Sequence, residues 1–371
     1  MTQSYWEAVT TEISGNTVDM CDSDILVIGS GFTGASAAYY LASNSDFSVT
    51  MVDDGFSGSY SRNAGHILWG MSEHYLCQVE HWGEEKAKAV GKLSEKFMRL
   101  NQELYVHMDG YYDKHAMNQS EDKTLFKSNA LERADFNYAH KLSTRGNPIA
   151  NRNSLVMMAL NKGVRYHETS IESVVKEGDE YVVRHYNGVE TKHSAVVMCT
   201  NAYTKLLLED VGDKVEPFRG QIIVSERLSD DLFYDKVEEW GDAWSFDNGF
   251  IYGQFIDNRV LIGGWRNNAS GGENDAFSLT PNKDISDGLK SFVADRIGIT
   301  GLIWDYEWTG VMASTHNGLP IIKQRSSDGI YLAVGMNGYG HSWGPGCGQE
   351  VAKMVLGEEV DPTVLGYFRG D

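Results

Sequence analysis

The chain has 371 residues, long for a single core, and two domains are expected. Its 32 Lys+Arg against 52 Asp+Glu give a formal charge of −20 and a pI near 4.9, a balance that disfavours nucleic acid and anionic membranes as partners unless a basic patch is hidden in it. The first twenty residues are too polar and acidic for a signal peptide, and no apolar run approaches the ~20 residues of a membrane helix. A soluble, cytoplasmic protein is expected.

The four cysteines (Cys21, Cys77, Cys199, Cys347) lie far apart in the chain, without a C-x-x-C pair or metal spacing. They are read as reduced, mostly buried thiols. No metal site is expected, and a disulfide reductase is excluded.

In chain order, the most informative stretch is DILVIGSGFTGASAAYYLASNSDFSVTMVD, Asp24 to Asp53. An apolar strand (Ile25 to Ile28) runs into Gly29, and Gly31 and Gly34 complete G-x-G-x-x-G. A small-residue helix (Ala35 to Ala42) follows, then a second apolar strand (Val49 to Val52) ending on Asp53. Gly29 allows the tight turn, Gly31 lets the backbone approach a pyrophosphate, and Gly34 lets helix and strand pack closely. A pyrophosphate would rest on N–H groups at the helix N-terminus, where the dipole supplies about half a positive charge. Asp53 is placed to accept hydrogen bonds from a ribose.

Beyond the loop Gly58 to Gly70, residues 73–104 read as helix, with apolar residues at helical spacing among many charges. Residues 110–147 read as short strands and loops. A helix is expected over 154–161 and a short strand over 165–167. A hairpin is expected around Asn187-Gly188 (180–186 with 190–193), then a buried strand over 195–199. The stretch 217–312 is strand-rich, with aromatics alternating with polar residues. A strand (330–334), a glycine loop (335–348) and a helix (349–356) return to the opening pattern. A second glycine loop opening a helix suits FAD better than NAD, because the long flavin needs backbone donors at the end far from its adenine.

These residues together resemble the D-amino-acid-oxidase-type (DAO) FAD-dependent oxidoreductases, the group that holds glycine oxidase, sarcosine oxidase and gamma-glutamylputrescine oxidase. The resemblance runs nearly end to end. Ser4-Tyr5-Trp6 resembles the S-Y-[YW] start of the putrescine-derivative oxidases, and GSYSRNAG (58–65) resembles their G-A-S-G-R-N-G-G. AVVMCTNAY (195–203) is similar to VVVATNAY, and Pro217-Phe218-Arg219-Gly220-Gln221 to P-x-R-G-Q. Trp308-Thr309-Gly310 and the Gly335 loop are similar to the W-x-G and G-x-x-G-H-G elements near the isoalloxazine.

The resemblance implies an α/β fold of the glycine-oxidase kind, a Rossmann-like FAD domain beside an antiparallel-sheet, α+β substrate domain. On this reading residues 1–75, 148–216 and 313–371 bind FAD, and 76–147 and 217–312 bind substrate. Cofactor contacts are expected from Gly29, Gly31, Phe32, Thr33 and Gly34, from Asp53 and Asp54, and from Ser61, Arg62, Asn63, Ala64 and Gly65. Val174, Thr200, Asn201, Gly310, Gly338, Tyr339, Gly340 and His341 complete the set.

Departures from the family pattern carry equal information. Gly310 stands where sarcosine oxidases attach flavin through cysteine, and Arg62 where dimethylglycine-type enzymes use histidine, so the FAD is expected to be non-covalent. Met312 stands where glycine oxidases hold the substrate carboxylate with arginine. A buried carboxylate without a cation is expensive, which counts against a plain α-amino acid, and Arg266 is the alternative cation.

The expected reaction oxidises a small-molecule primary or secondary amine. Hydride passes to flavin N5, water hydrolyses the imine, and dioxygen or another acceptor takes the electrons. Candidates near the ring are His66, Tyr252, Trp265, Tyr339 and His341, each also suited to wall or core. Oxidation of an N-substituted glycine on a modified nucleoside or nucleic acid, with Arg266 or Arg219 as anchor, is an alternative; amino-acid oxidation of the glycine type is another.

Overall fold

The computed structural model describes residues 2–17, 19–55, 58–71, 75–105, 112–113, 142–274, 277–325 and 329–370. Most of the strands expected over 110–147 therefore lie outside the described residues. A short helix α1 (Tyr5–Val9) precedes β1 (Ser23–Ile28), α2 (Phe32–Asn44) and β2 (Val49–Asp53). Then come β3 (His66–Ile67), α3 (Tyr75–Trp82), α4 (Glu84–Tyr105), β4 (Tyr112–Asp113), β5 (Thr144–Gly146) and α5 (Pro148–Asn161). The chain returns through β6 (Arg165–Glu168), β7 (Ile171–Glu177), β8 (Glu180–His185) and β9 (Glu190–Met198), and two short helices follow, α6 (Thr204–Leu207) and α7 (Glu209–Gly212).

A second series holds β10 (Glu216–Ser225), α8 (Asp230–Trp240), β11 (Ala243–Phe246), β12 (Ile251–Ile256), β13 (Arg259–Gly264), α9 (Lys283–Phe292) and β14 (Trp304–Ser314). The last elements are β15 (Ile321–Gln324), β16 (Ile330–Val334), α10 (Gly340–Leu356) and α11 (Pro362–Tyr367).

The first sheet runs β15-β16-β9-β1-β2-β6, parallel from β16 to β6, with the β7–β8 hairpin attached to β9. The second, β11-β12-β13-β10-β14, is antiparallel throughout. This is the mixed α/β architecture that the sequence predicts. The order has a physical origin. β1 is buried on both faces, as its apolar run demands, whereas β10 and β14 turn one face to a cavity and the other to the protein. One core joins α2, α4, α5 and α10 on a face of the parallel sheet (Phe32, Leu41, Phe97, Leu155, Trp343). Another lies on its opposite face, and a third packs α9 beneath the antiparallel sheet. Thus α4, within the stretch read as substrate domain, shares its core with the nucleotide side.

Several element boundaries differ from expectation, among them that of α5, which begins at Pro148 and not at Ser154. The helix expected over 73–104 is two helices, because Gly83 takes a left-handed conformation (φ 82°) between α3 and α4. The strands expected over 190–193 and 195–199 are one strand, β9, whose first half pairs with β8 and whose later part, from His193 to Met198, pairs with β1. Helix α10 begins at Gly340, inside the expected loop. Its glycines are packing residues: a Cβ at Gly344 would stand 2.7 Å from Cβ of Phe32, and one at Gly346 would overlap the Phe97 ring. Cys347 alone of the four thiols is buried; Cys21 is exposed and the other two are half-buried.

Candidate active site

A cavity of about 900 Å³ runs from the carboxyl ends of β1 and β2 to the face of the antiparallel sheet. At the first end Gly29 has φ 100°, a turn closed to L side chains, and a Cβ on Gly34 would overlap the Gly29 carbonyl oxygen. Around Gly31 there is room, the nearest atom to an added Cβ being Cδ1 of Tyr60 at 3.5 Å. No side chain caps α2, so its N-terminus faces the cavity as an anion site. Asp53 Oδ2 accepts from the Ser30 N–H (2.6 Å) and hydroxyl (2.9 Å), and Oδ1 from the Gly55 N–H (3.3 Å). A carboxylate offers about four acceptor positions, so Asp53 both fastens the glycine loop and keeps capacity for a ribose hydroxyl. These features fit a dinucleotide pyrophosphate and ribose.

The second loop is held from outside by α1. Ser4 and Glu7 form a capping box, the Ser4 hydroxyl donates to the Ser61 carbonyl (2.9 Å), and Trp6 Nε1 donates to the Asn63 carbonyl (2.7 Å). Arg62 pairs with Glu7 at 3.2 Å and donates to the backbone carbonyls of Thr2 and Thr309. Arg62, Asn63 and Ala64 line the cavity; Ser61 and Gly65 do not. Ser61 is bound to Glu7 and Gly58, and Gly65 lies against the indole of Trp6.

Farther along, Asn201 Oδ1 accepts from the N–H groups of Gly335 and Met336, both at 3.1 Å, tying the end of β9 to the second glycine loop. Gly338, Tyr339, Gly340 and His341 line the cavity where α10 begins, again without a side-chain cap. His341 stacks on Phe32 (centroids 4.5 Å apart). Asn151 Nδ2, a donor only, lies 3.0 Å from His341 Nε2 and makes that nitrogen the acceptor. Burial lowers both His66 and His341 to about 3, helped at His66 by Arg145 and at His341 by His66. Both are neutral at pH 7.

The far wall comes from the antiparallel sheet: Phe218, Gly220 and Ile222 from β10, Gly310 and Met312 from β14, Tyr252 from β12, with Phe250 and Arg266 at its edge. The Tyr252 ring lies edge-on to His66 at 6.1 Å, and burial raises its hydroxyl to about 12, against the pull of Arg266. The Met312 side chain reaches from the Gly338 loop to Gly220.

Gly29, Gly31, Phe32, Thr33, Asp53, Asp54, Thr200 and Asn201 also line the cavity, whereas Gly34, Val174 and Trp265 do not. Val174 pairs with Val183 in the β7–β8 hairpin, and Ile171 at its base reaches the cavity instead. The Trp265 indole lies over Gly288 and edge-on to Phe292. Arg219 is spent as well: it pairs with Glu273 and donates to the carbonyls of Ser278 and Thr280.

Sequence reading misses Arg152, which is fully buried. Its guanidinium donates to the Ser30 carbonyl (3.0 Å), the Ser30 hydroxyl (2.5 Å), the Tyr166 hydroxyl (2.7 Å) and the Ile13 carbonyl (2.6 Å). It also misses Phe218 and Phe250, because an aromatic on a strand carries no sign of which face is hollow. A lone charge in an otherwise uncharged helix (PIANRNSLVMMAL) is the one signal that points to Arg152.

Comparison with known proteins identifies the family and the fold. The family model for FAD dependent oxidoreductases of the DAO type matches residues 24–354. The chain is 26% identical over 379 aligned positions to gamma-glutamylputrescine oxidoreductase of Escherichia coli (strain K12), covering 90% of this chain and 84% of that protein. Its fold is similar to that of glycine oxidase from Geobacillus kaustophilus, with a TM-score of 0.69, 18% identity and coverage of 95% and 99%. Iminodiacetate oxidase from Chelativorans sp. BNC1 gives a TM-score of 0.68 at 17% identity, with coverage of 93% and 98%.

Proposed function

This chain belongs to the DAO family of FAD-dependent oxidoreductases, and from that premise we propose that it oxidises the C–N bond of a primary or secondary amine, with dioxygen as the electron acceptor. The observation that carries this reading is the single cavity that joins the G-x-G-x-x-G loop and Asp53 to an aromatic wall of Tyr252, Phe218 and Phe250. Bound along it, FAD would supply the hydride acceptor for the amine's C–H, and hydrolysis of the resulting imine would release a carbonyl compound and ammonia or a smaller amine.

The protein's own residues prepare the substrate. An alkylammonium with pKa near 10.4 needs roughly 4–5 kcal/mol to lose its proton at pH 7. Burial against Leu68, Ile222, Tyr252 and Met312 lowers that cost by disfavouring the charged form. His66 and His341 are both neutral, so neither histidine adds a charge beside the amine. The helix ends at α2 and α10 would receive the pyrophosphate and the flavin's electron-rich edge.

Free glycine and D-alanine are poor substrates on this reading, because Met312 offers their carboxylate no charge. Anaerobic mixing with amines, N-alkyl glycines, glycine and D-alanine should bleach the flavin with amines and leave the two amino acids slow. A panel in which no amine bleaches it would overturn the reading, and fast bleaching by glycine would overturn the argument from Met312.

The FAD is non-covalent in this reading. Gly310 carries no nucleophile to attach a flavin, and a Cβ there would stand a tight 3.0 Å from both Cβ and the carbonyl oxygen of Arg62. Acid precipitation is expected to leave the yellow colour in solution; a yellow pellet contradicts it.

Asp53 is proposed to hold the adenosine ribose. Asp53→Ala removes one or two charge-assisted hydrogen bonds worth about 1.5–3 kcal/mol each, and should weaken FAD binding at least tenfold when apoprotein is titrated by fluorescence quenching. An unchanged dissociation constant would place the ribose elsewhere.

A further inference from the structure

We propose that the corner after β13 reads a carboxylate on the amine substrate, and that this carboxylate is set apart from the carbon being oxidised. The proposal rests on the amine-oxidase reading above and adds the substrate class.

Arg266 lines the cavity with its guanidinium carbon 4.7 Å from the Phe218 ring centroid and 5.0 Å from that of Phe250. Two aromatic faces hold a cation while leaving its N–H edges free. Of its five donors, one reaches the Gly272 carbonyl, at a long 3.4 Å. Among the described residues no carboxylate pairs with it, in a chain where acids outnumber bases 52 to 32. The other arginines near the cavity are committed, Arg62 to Glu7 and Arg219 to Glu273. A half-buried guanidinium with open donors is built for a planar anion that arrives from solution.

The backbone supports this assignment independently. Trp265, just before Arg266, is held in the left-handed region (φ 66°, ψ 2°), which a bulky residue adopts only at a cost. Its indole is locked over Gly288, where any Cβ would overlap the ring. That lock turns the chain so that the next side chain leaves the α9 core and enters the cavity. Trp265 is thus a positioning residue.

The separation follows from Met312. Its register partner on β10 is Phe218, and its side chain spans from the Gly338 loop to Gly220. Met312 therefore presents no charge beside the second glycine loop, and the cation lies beyond it at Phe218. An amine with its carboxylate several bonds from the reacting carbon satisfies both; glycine does not.

Two measurements on the holoprotein test this. In the first, glutarate and its neutral analogue glutaramide are titrated against flavin absorbance without turnover. Glutarate should give a saturable shift at least tenfold tighter than glutaramide. Arg266→Gln should weaken glutarate tenfold or more, and Arg266→Lys, which keeps the charge and loses the fork, at least threefold. Equal affinity for the two compounds in the parent protein, or equal glutarate affinity in parent and Arg266→Lys, overturns the proposal even where Arg266→Gln does not fold. The second compares anaerobic bleaching rates for an ω-amino acid and its primary amide, whose ratio should fall tenfold or more in Arg266→Gln; an unchanged ratio overturns it too. If no amine bleaches the flavin, the amine-oxidase reading fails, while the glutarate titration still decides the role of Arg266.

Discussion

Gly34→Ala is expected to yield protein without bound FAD and with a lowered melting temperature, although the change adds a single methyl group to a helix. That methyl would overlap the Gly29 carbonyl oxygen, with the Gly29 carbonyl carbon at 2.8 Å and Cβ of Cys199 at 3.3 Å. The nearest obstacles are backbone, which has no rotamer to give. Relief by moving α2 is blocked from the other side, where Gly344 and Gly348 bring α10 into van der Waals contact with Phe32, Thr33 and Ala37. Overpacking a well-packed core costs about 1–3 kcal/mol where side chains can shift, and a backbone clash belongs at or above the top of that range. The strain falls on Gly29 to Gly34, the stretch whose N–H groups would meet the pyrophosphate. Flavin absorbance after gel filtration and a thermal melt check this. Parental flavin content with a Tm within about 2 °C of the parent would show that α2 can move away from Gly29 at little cost.

Arg152→Met is expected to lower Tm by on the order of 10 °C and to weaken FAD binding more than tenfold. The side chain is fully buried, lies over the rings of Tyr60 and Tyr166, and is 3.6 Å from Glu12. Removing one partner of a buried charged network costs about 3–5 kcal/mol, because the partner's charge and acceptors are left behind. Here those are the carbonyls of Ser30 and Ile13 and the carboxylate of Glu12, which burial pushes upward in pKa while Tyr60 and Arg152 hold it down. Ser30 connects this to the cofactor: it lies between Gly29 and Gly31, and its N–H and hydroxyl both bind Asp53. Adding Glu12→Gln to Arg152→Met should recover part of the lost stability, since the orphaned charge is then gone. A Tm change under about 3 °C with parental FAD affinity would assign Arg152 no part in holding the loop.

Much of the nucleotide end is legible in the sequence because its determinants are local. Gly29, Gly31 and Gly34 lie within six residues, and the steric demands of a turn, an approaching anion and a helix–strand contact act on neighbours in the chain. Asp53 follows because a parallel strand beside β1 must end at the same edge. The apolar run of β9 and the alternation of 217–312 likewise give a buried parallel strand and a half-buried antiparallel sheet from their periods alone.

The substrate end is different, since its chemistry depends on which side of a surface each residue faces. Trp265 and Arg266 are adjacent in sequence, and one left-handed residue sends the first into the α9 core and the second into the cavity. Arg62, Arg219 and Arg266 look alike in sequence. Only the fold brings Glu7 to the first and Glu273 to the second, and leaves the third between two phenylalanines. The glycine-rich start of α10 reads as a loop because helix propensity penalises glycine; tertiary packing overrides it, since the absent Cβ atoms are what let α10 and α2 meet. Composition and spacing therefore determine the class of fold and the end that would grip the nucleotide, through forces that act within a few residues. Long-range packing decides which charges stay free and which wall the substrate would meet, because those depend on partners that are distant in the chain.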